Sequence, residues 1–109
     1  MRTAEILYFD GCPNHAGLAP RILELAAAAG VEVTLEHRKI TDGAAAQRER
    51  FLGSPSVRID GRDVEPGADQ RRDFGMGCRV YATPEGIRGA PSDAWIRDAI
   101  ARARPAGGA

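Results

Sequence analysis

The run Ile6-Leu7-Tyr8-Phe9, closed by Asp10-Gly11, is the strongest constraint in the chain. Four consecutive apolar residues with a turn pair behind them read as a strand buried on both faces, so the strand must lie inside a sheet covered above and below. The cover follows at once. Leu18, Ile22, Leu25 and Ala29 recur at helical spacing and place one apolar stripe on a helix from about Asn14 to Gly30. Pro20 lies inside that span, and a kink is expected there. Val31, Val33 and Leu35 then alternate with Glu32, Thr34 and Glu36, the period of a strand with one wet face. Strand, helix and strand in that order make a parallel pair with the helix packed on it.

Residues 42–52 predict a second helix, with Asp42 as its cap, Ala44, Ala45, Arg48, Phe51 and Leu52 as a weak amphipathic pattern, and Gly53 as its stop. Ser56 to Asp60 reads as a strand, and Asp60-Gly61 signals a tight hairpin returning through Asp63-Val64. Residues 65–77 are polar, carry three glycines and have no period, so they read as a loop. Arg79-Val80-Tyr81-Ala82 resumes a short strand. Ser92 can cap a final helix that turns Trp95, Ile96, Ala99, Ile100 and Ala103 toward the core. The expected fold is a single α/β domain over residues 1–104 with a flexible tail at 105–109. It is a mixed four-stranded sheet flanked by helices, in the order β-α-β-α-β-β-α, with a loop insertion before the last strand.

A chain of 109 residues can bury one core without disulfides or metal as staples. Fifteen basic and fifteen acidic residues cancel, which argues against a nucleic-acid footprint and against electrostatic attachment to a membrane. No run of about 18 apolar residues is present to span a bilayer. The first residues lead straight into a strand with no export signal, so a cytoplasmic chain is expected. In a reducing compartment two cysteines are more often reactive, metal-binding or buried than joined in a structural disulfide.

Cys12 stands where the first strand stops and the helical pattern starts. The unpaired amides and dipole of a helix's first turn favour negative charge there, so a thiol at that place is easily ionised. His15, three positions on, can hydrogen-bond a Cys12 thiolate or face solvent. His37 ends a strand with no evident partner and reads as structural or solvated. Asp10 reads as a turn residue that could also handle a proton. Arg71, Arg72, Arg79 and Arg88 could ring the long loop and attract an anionic substrate, although such arginines are usually a solvated face. Cys12 and His15, with Cys78, fall short of a zinc set, although two thiolates would suit a soft cation.

The element order, with Cys12 after the first strand and Gly53-Ser54-Pro55 opening the third, resembles the thioredoxin superfamily over almost the whole chain. Tyr8-Phe9-Asp10-Gly11-Cys12-Pro13-Asn14 and the stretch from Phe51 to Arg62 are similar to a set of small bacterial thioredoxin-like proteins. Some of those carry names tied to organomercurial lyase. The resemblance implies that Cys12 is a nucleophile and that Pro55 follows a cis peptide bond and stands against it. The motif reads Cys12-Pro13-Asn14-His15, so His15 occupies the place of the usual resolving cysteine. Exchange then needs an external thiol, or Cys78 at the end of the long loop.

The expected function is thiol-disulfide exchange, with Cys12 and Cys78 as the catalytic pair and Pro13, His15, Ser54 and Pro55 shaping the substrate groove. The partner would be a disulfide-containing protein or a small thiol, with no cofactor. Two other readings stay open. Cys12 and Cys78 could clamp mercury or another thiophilic metal, or the fold could be a non-catalytic interaction module.

Overall fold

The structure, a computed structural model, describes residues 2–11 and 15–102. Its central strand, β1 (Arg2–Tyr8), runs parallel to β2 (Val33–Lys39) and antiparallel to β3 (Ser56–Ile59), and β4 (Arg62–Asp63) closes the sheet in the order β2-β1-β3-β4. The double burial expected of β1 follows from this position. Ala4 and Ile6, with Val57 and Ile59 opposite them on β3, face one layer, and Leu7 faces the other.

Helices α1 (Leu18–Ala29) and α3 (Asp93–Arg102) cover the first face through Leu18, Ile22, Ala26, Ile96, Ala99 and Ile100. The short α2 (Gly43–Arg48) covers the second, where Ala45, Ala46, Ile40 and Phe51 close around Leu7. The stripe on α1 thus runs through Ala26, with Leu25 half-buried and Ala29 exposed. A domain of two core clusters on one mixed sheet is the result.

Pro20 does not kink α1. The helix begins at Leu18, so Pro20 is its third residue, in the first turn where backbone N–H groups have no partner within the helix. The helix then runs to Gly30, which ends it in the left-handed conformation at φ 71°. Asp42 caps α2 as expected, its Oδ1 accepting the Ala45 N–H at 2.8 Å. That helix stops at Arg48, short of the expected boundary. Its end is a Schellman closure in which Phe51 N–H donates to Ala46 at 2.8 Å and Arg50 N–H to Gln47 at 3.2 Å. Asp60 and Gly61 both have positive φ, 51° and 86°, as the tight hairpin between β3 and β4 requires.

The segment after the hairpin departs from expectation. The long loop follows the sheet's fourth strand, and the strand expected at Arg79–Ala82 does not join the sheet. Instead β5 (Tyr81–Thr83) pairs with β6 (Gly86–Arg88) as a separate two-stranded ribbon. The physical reason is that β4 already occupies the edge next to β3, while β5 finds a partner only a turn away. A 3-10 turn, Ala68–Gln70, gives the loop some order. Ser92 Oγ caps α3 by accepting the Ala94 N–H at 3.2 Å. Ala103 and the tail expected at 105–109 lie outside the described residues. No helix among the described residues is long and apolar enough to cross a membrane.

Candidate functional site

The register of the sheet decides where the sequence-predicted residues meet. Ser56 lies opposite Leu7 on antiparallel strands, so Pro55 comes level with the last residue of β1 and Ser54 just beyond it. From that same end the chain passes through Phe9, Asp10 and Gly11 toward Cys12. Cys12 and Pro13 lie outside the described residues. The Ser54–Pro55 peptide bond is cis.

Beside it lies Cys78. Ser54 donates its N–H to the Gly77 carbonyl at 2.9 Å and accepts the Arg79 N–H at 2.8 Å, a single rung of parallel pairing between Ser54 and Cys78. The approach is close because residue 53 is glycine. A Cβ built there would stand 2.9 Å from the Gly77 oxygen and 3.1 Å from the Arg79 Cβ. Upstream, Gly75 N–H donates to the Phe51 carbonyl at 2.9 Å, and Met76 packs against the Leu7 and Phe51 cluster. The end of the loop is therefore stitched to residues 51–54, and Cys78 rides on it as an exposed side chain. Both main-chain groups of Ser54 are engaged by the chain itself. The groove expected at Ser54 and Pro55 is thus occupied on its Ser54 side by residues 77–79.

The neighbour of Cys78 turns the other way. Arg79 is only 2% exposed. Its guanidinium holds Asp63 in a two-pronged pair at 2.7 and 3.0 Å, reaches Glu65 at 2.6 Å and Ser56 Oγ at 2.8 Å, and lies 4.4 Å above the Tyr81 ring. Burial works against its charge, but the hydrogen bonds and charges of Asp63 and Glu65 outweigh it and hold the guanidinium protonated. Tyr81 is fully buried and donates its hydroxyl to the Pro55 carbonyl at 2.5 Å. Burial pushes its pKa well above the usual phenol range, so the hydroxyl remains a donor.

The solvated face expected of the four arginines therefore fails for Arg79. Parity carried the missing signal. In an extended segment Arg79 and Tyr81 share a face opposite Val80, and Val80 is 62% exposed. Arg72 and Arg88 are exposed, and half-buried Arg71 pairs with Asp73 at 2.6 Å and Glu65 at 3.1 Å.

At the mouth of the first loop, His15 stacks on Tyr8 with ring centroids 4.4 Å apart, and His37 meets the same ring edge-on at 6.4 Å. Both histidines thus have an aromatic partner, which the sequence revealed for neither. Asp10 pairs with Lys39 at 2.7 Å, and this hydrogen bond raises the lysine's pKa. Among the described residues no three His, Cys, Asp or Glu side chains gather as a metal site. The chain matches no family model, and neither the curated proteins nor the solved structures include a match to it.

Proposed function

We propose that the protein is a thiol-disulfide exchange protein of thioredoxin-like type, with Cys12 as the attacking thiol and Cys78 as the resolving one. The observation that carries this reading is the pairing of Ser54 with Cys78 at the end of β1 from which the chain runs into Cys12. An exposed thiol fixed by two backbone hydrogen bonds is a suitable resolving group, because its approach does not require a mobile loop to be ordered first.

The reaction is a two-step exchange. The Cys12 thiolate attacks one sulfur of a substrate disulfide, forms a mixed disulfide, and releases the other sulfur as a thiolate. The Cys78 thiolate then attacks the Cys12 sulfur, forms the Cys12–Cys78 disulfide, and releases the second substrate thiolate. The substrate gains two electrons and the protein loses two. An external dithiol or two small thiols return the protein to its reduced state.

Intact mass after treatment with a small disulfide tests the scheme. Wild type should lose two hydrogens, map to a Cys12–Cys78 bridge and recover with dithiothreitol, while Cys78→Ser should accumulate a mixed disulfide at Cys12. Absence of reaction at either thiol would overturn the proposal in favour of an interaction module. Stoichiometric capture of mercury with no disulfide turnover would overturn it in favour of a metal-handling role.

A further inference from the structure

On the α2 side of the sheet, away from α1 and α3, a cleft of about 450 Å³ opens between the end of α2, the β3–β4 hairpin and the long loop. Arg50, Arg58 and Arg62 line it together with Leu52, Phe74 and Asp69. Glu49, Asp63 and Glu65 line the cleft as well, and other cations hold them. Glu49 is held by Arg38 at 2.7 Å, and Asp63 and Glu65 are held by Arg79. Asp69 is the remaining acid, and it accepts from Gln70 at 3.2 Å. Among the described residues, none of the three arginines has a carboxylate within ion-pair distance. Arg58 donates to the carbonyls of Glu49 and Arg50, at 2.5 and 3.3 Å, and Arg50 lies 5.1 Å above the Phe74 ring. Burial pulls the pKa of Arg58 below the usual guanidinium value, outweighing the attraction of Glu5, Asp63 and Glu49.

Arg50 adds a second, independent observation. It occupies the left-handed position, φ 55°, that closes the Schellman motif after α2. Glycine fills that position at no steric cost, whereas a side chain there is strained. An arginine at such a site puts a guanidinium at the cleft at the expense of backbone comfort, and strained positions of this kind tend to gather where a ligand is bound.

We propose that this cleft binds a small ligand through an oxyanion group, phosphate or carboxylate, received by Arg50, Arg58 and Arg62, with Leu52 and Phe74 as its apolar wall. Guanidinium forks match the planar or trigonal array of such oxygens and form charge-assisted hydrogen bonds with them.

The test is an NMR titration of the full chain with inorganic pyrophosphate and, separately, succinate, each against sodium chloride at equal ionic strength. Saturable shifts at Arg50, Arg58, Arg62 and Phe74 with either probe support the proposal, and the tighter probe tells phosphate from dicarboxylate ligands. Arg50→Gly should fold at least as stably as wild type, since glycine suits the position, and yet bind roughly tenfold more weakly or worse. Arg62→Gln should behave likewise, while Arg97→Gln on α3 should leave binding unchanged. Shifts that follow ionic strength alone, or equal binding by wild type and Arg50→Gly, would overturn it.

Discussion

The carbonyl oxygen of Gly77 lies 2.9 Å from the place where a side chain on Gly53 would begin. That contact allows the loop to lie flat against Ser54 and form its rung with Cys78. Gly53 also has φ 119°, a conformation that L residues rarely adopt.

Gly53→Ala should therefore cost about 2 to 4 kcal/mol, from backbone strain and from a clash with main-chain atoms that cannot rotate aside. The loosened rung should also speed alkylation of Cys78. Gly77→Ala is the matched control, because nothing lies within 4 Å of the added carbon and the backbone is not left-handed. Urea unfolding and alkylation rates on the two variants decide the matter, and equal behaviour would refute the close-approach explanation.

A second expectation concerns the buried cation. Removing Asp63 leaves the Arg79 guanidinium inside the protein with only Glu65 as a charged partner. Removing Arg79 leaves carboxylates that are half-buried and reachable by water, one of them still held by Arg71 at 3.1 Å. Asp63→Ala should cost about 3 to 5 kcal/mol, and Arg79→Met should cost less. Chemical denaturation of both variants checks the order, and the reverse order would contradict it.

The fold was legible where local pattern suffices. Ile6 to Phe9 announced a central strand, Asp60-Gly61 a tight hairpin, Asp42 and Ser92 two helix starts. Pro20 misled because its effect depends on where the helix begins, and Leu18 starts it two residues earlier. The docking of Tyr81–Thr83 was not legible, since a strand's pattern does not name its partner, and β6 is exposed throughout and carries no alternation. Of the candidate site, Ser54, Pro55 and Cys78 are brought together, and His15 lies on Tyr8, while Cys12 and Pro13 lie outside the described residues. The burial of Arg79 was legible only as shared parity with Tyr81, and the partners that make it tolerable, Asp63 and Glu65, come from a distant part of the sequence.

The cap of α2 makes a smaller prediction. The helix has only six residues, and Asp42 Oδ1 satisfies one of its first amides. Asp42→Ala should lower stability by about 1 kcal/mol, and Asp42→Ser should nearly restore it. Thermal unfolding of the pair checks this, and a loss equal in both variants would show that the carboxylate's charge matters more than the cap.

Tyr81 links stability to alkaline pH. Its hydroxyl is buried and donates to Pro55, and burial raises its pKa above the value of about 10 that it has in the unfolded chain. Below pH 10 both states hold the proton, so the contribution is complete there. As pH rises above 10 the unfolded phenol ionises while the folded one stays protonated, and stability falls by about 1.4 kcal/mol per pH unit until the folded pKa is reached. Tyr81→Phe removes the hydrogen bond and leaves the Pro55 carbonyl unpaired, so at pH 8 the variant should be less stable by about 1 to 3 kcal/mol. It also removes the titration, so the gap between wild type and variant should narrow steadily between pH 10 and 11.5. Both proteins carry the same cysteines, so thiol ionisation cancels in the comparison. Urea denaturation across that range measures the gap directly, and a gap that stayed constant would mean that the Tyr81 phenol ionises as readily in the folded protein as in the unfolded chain.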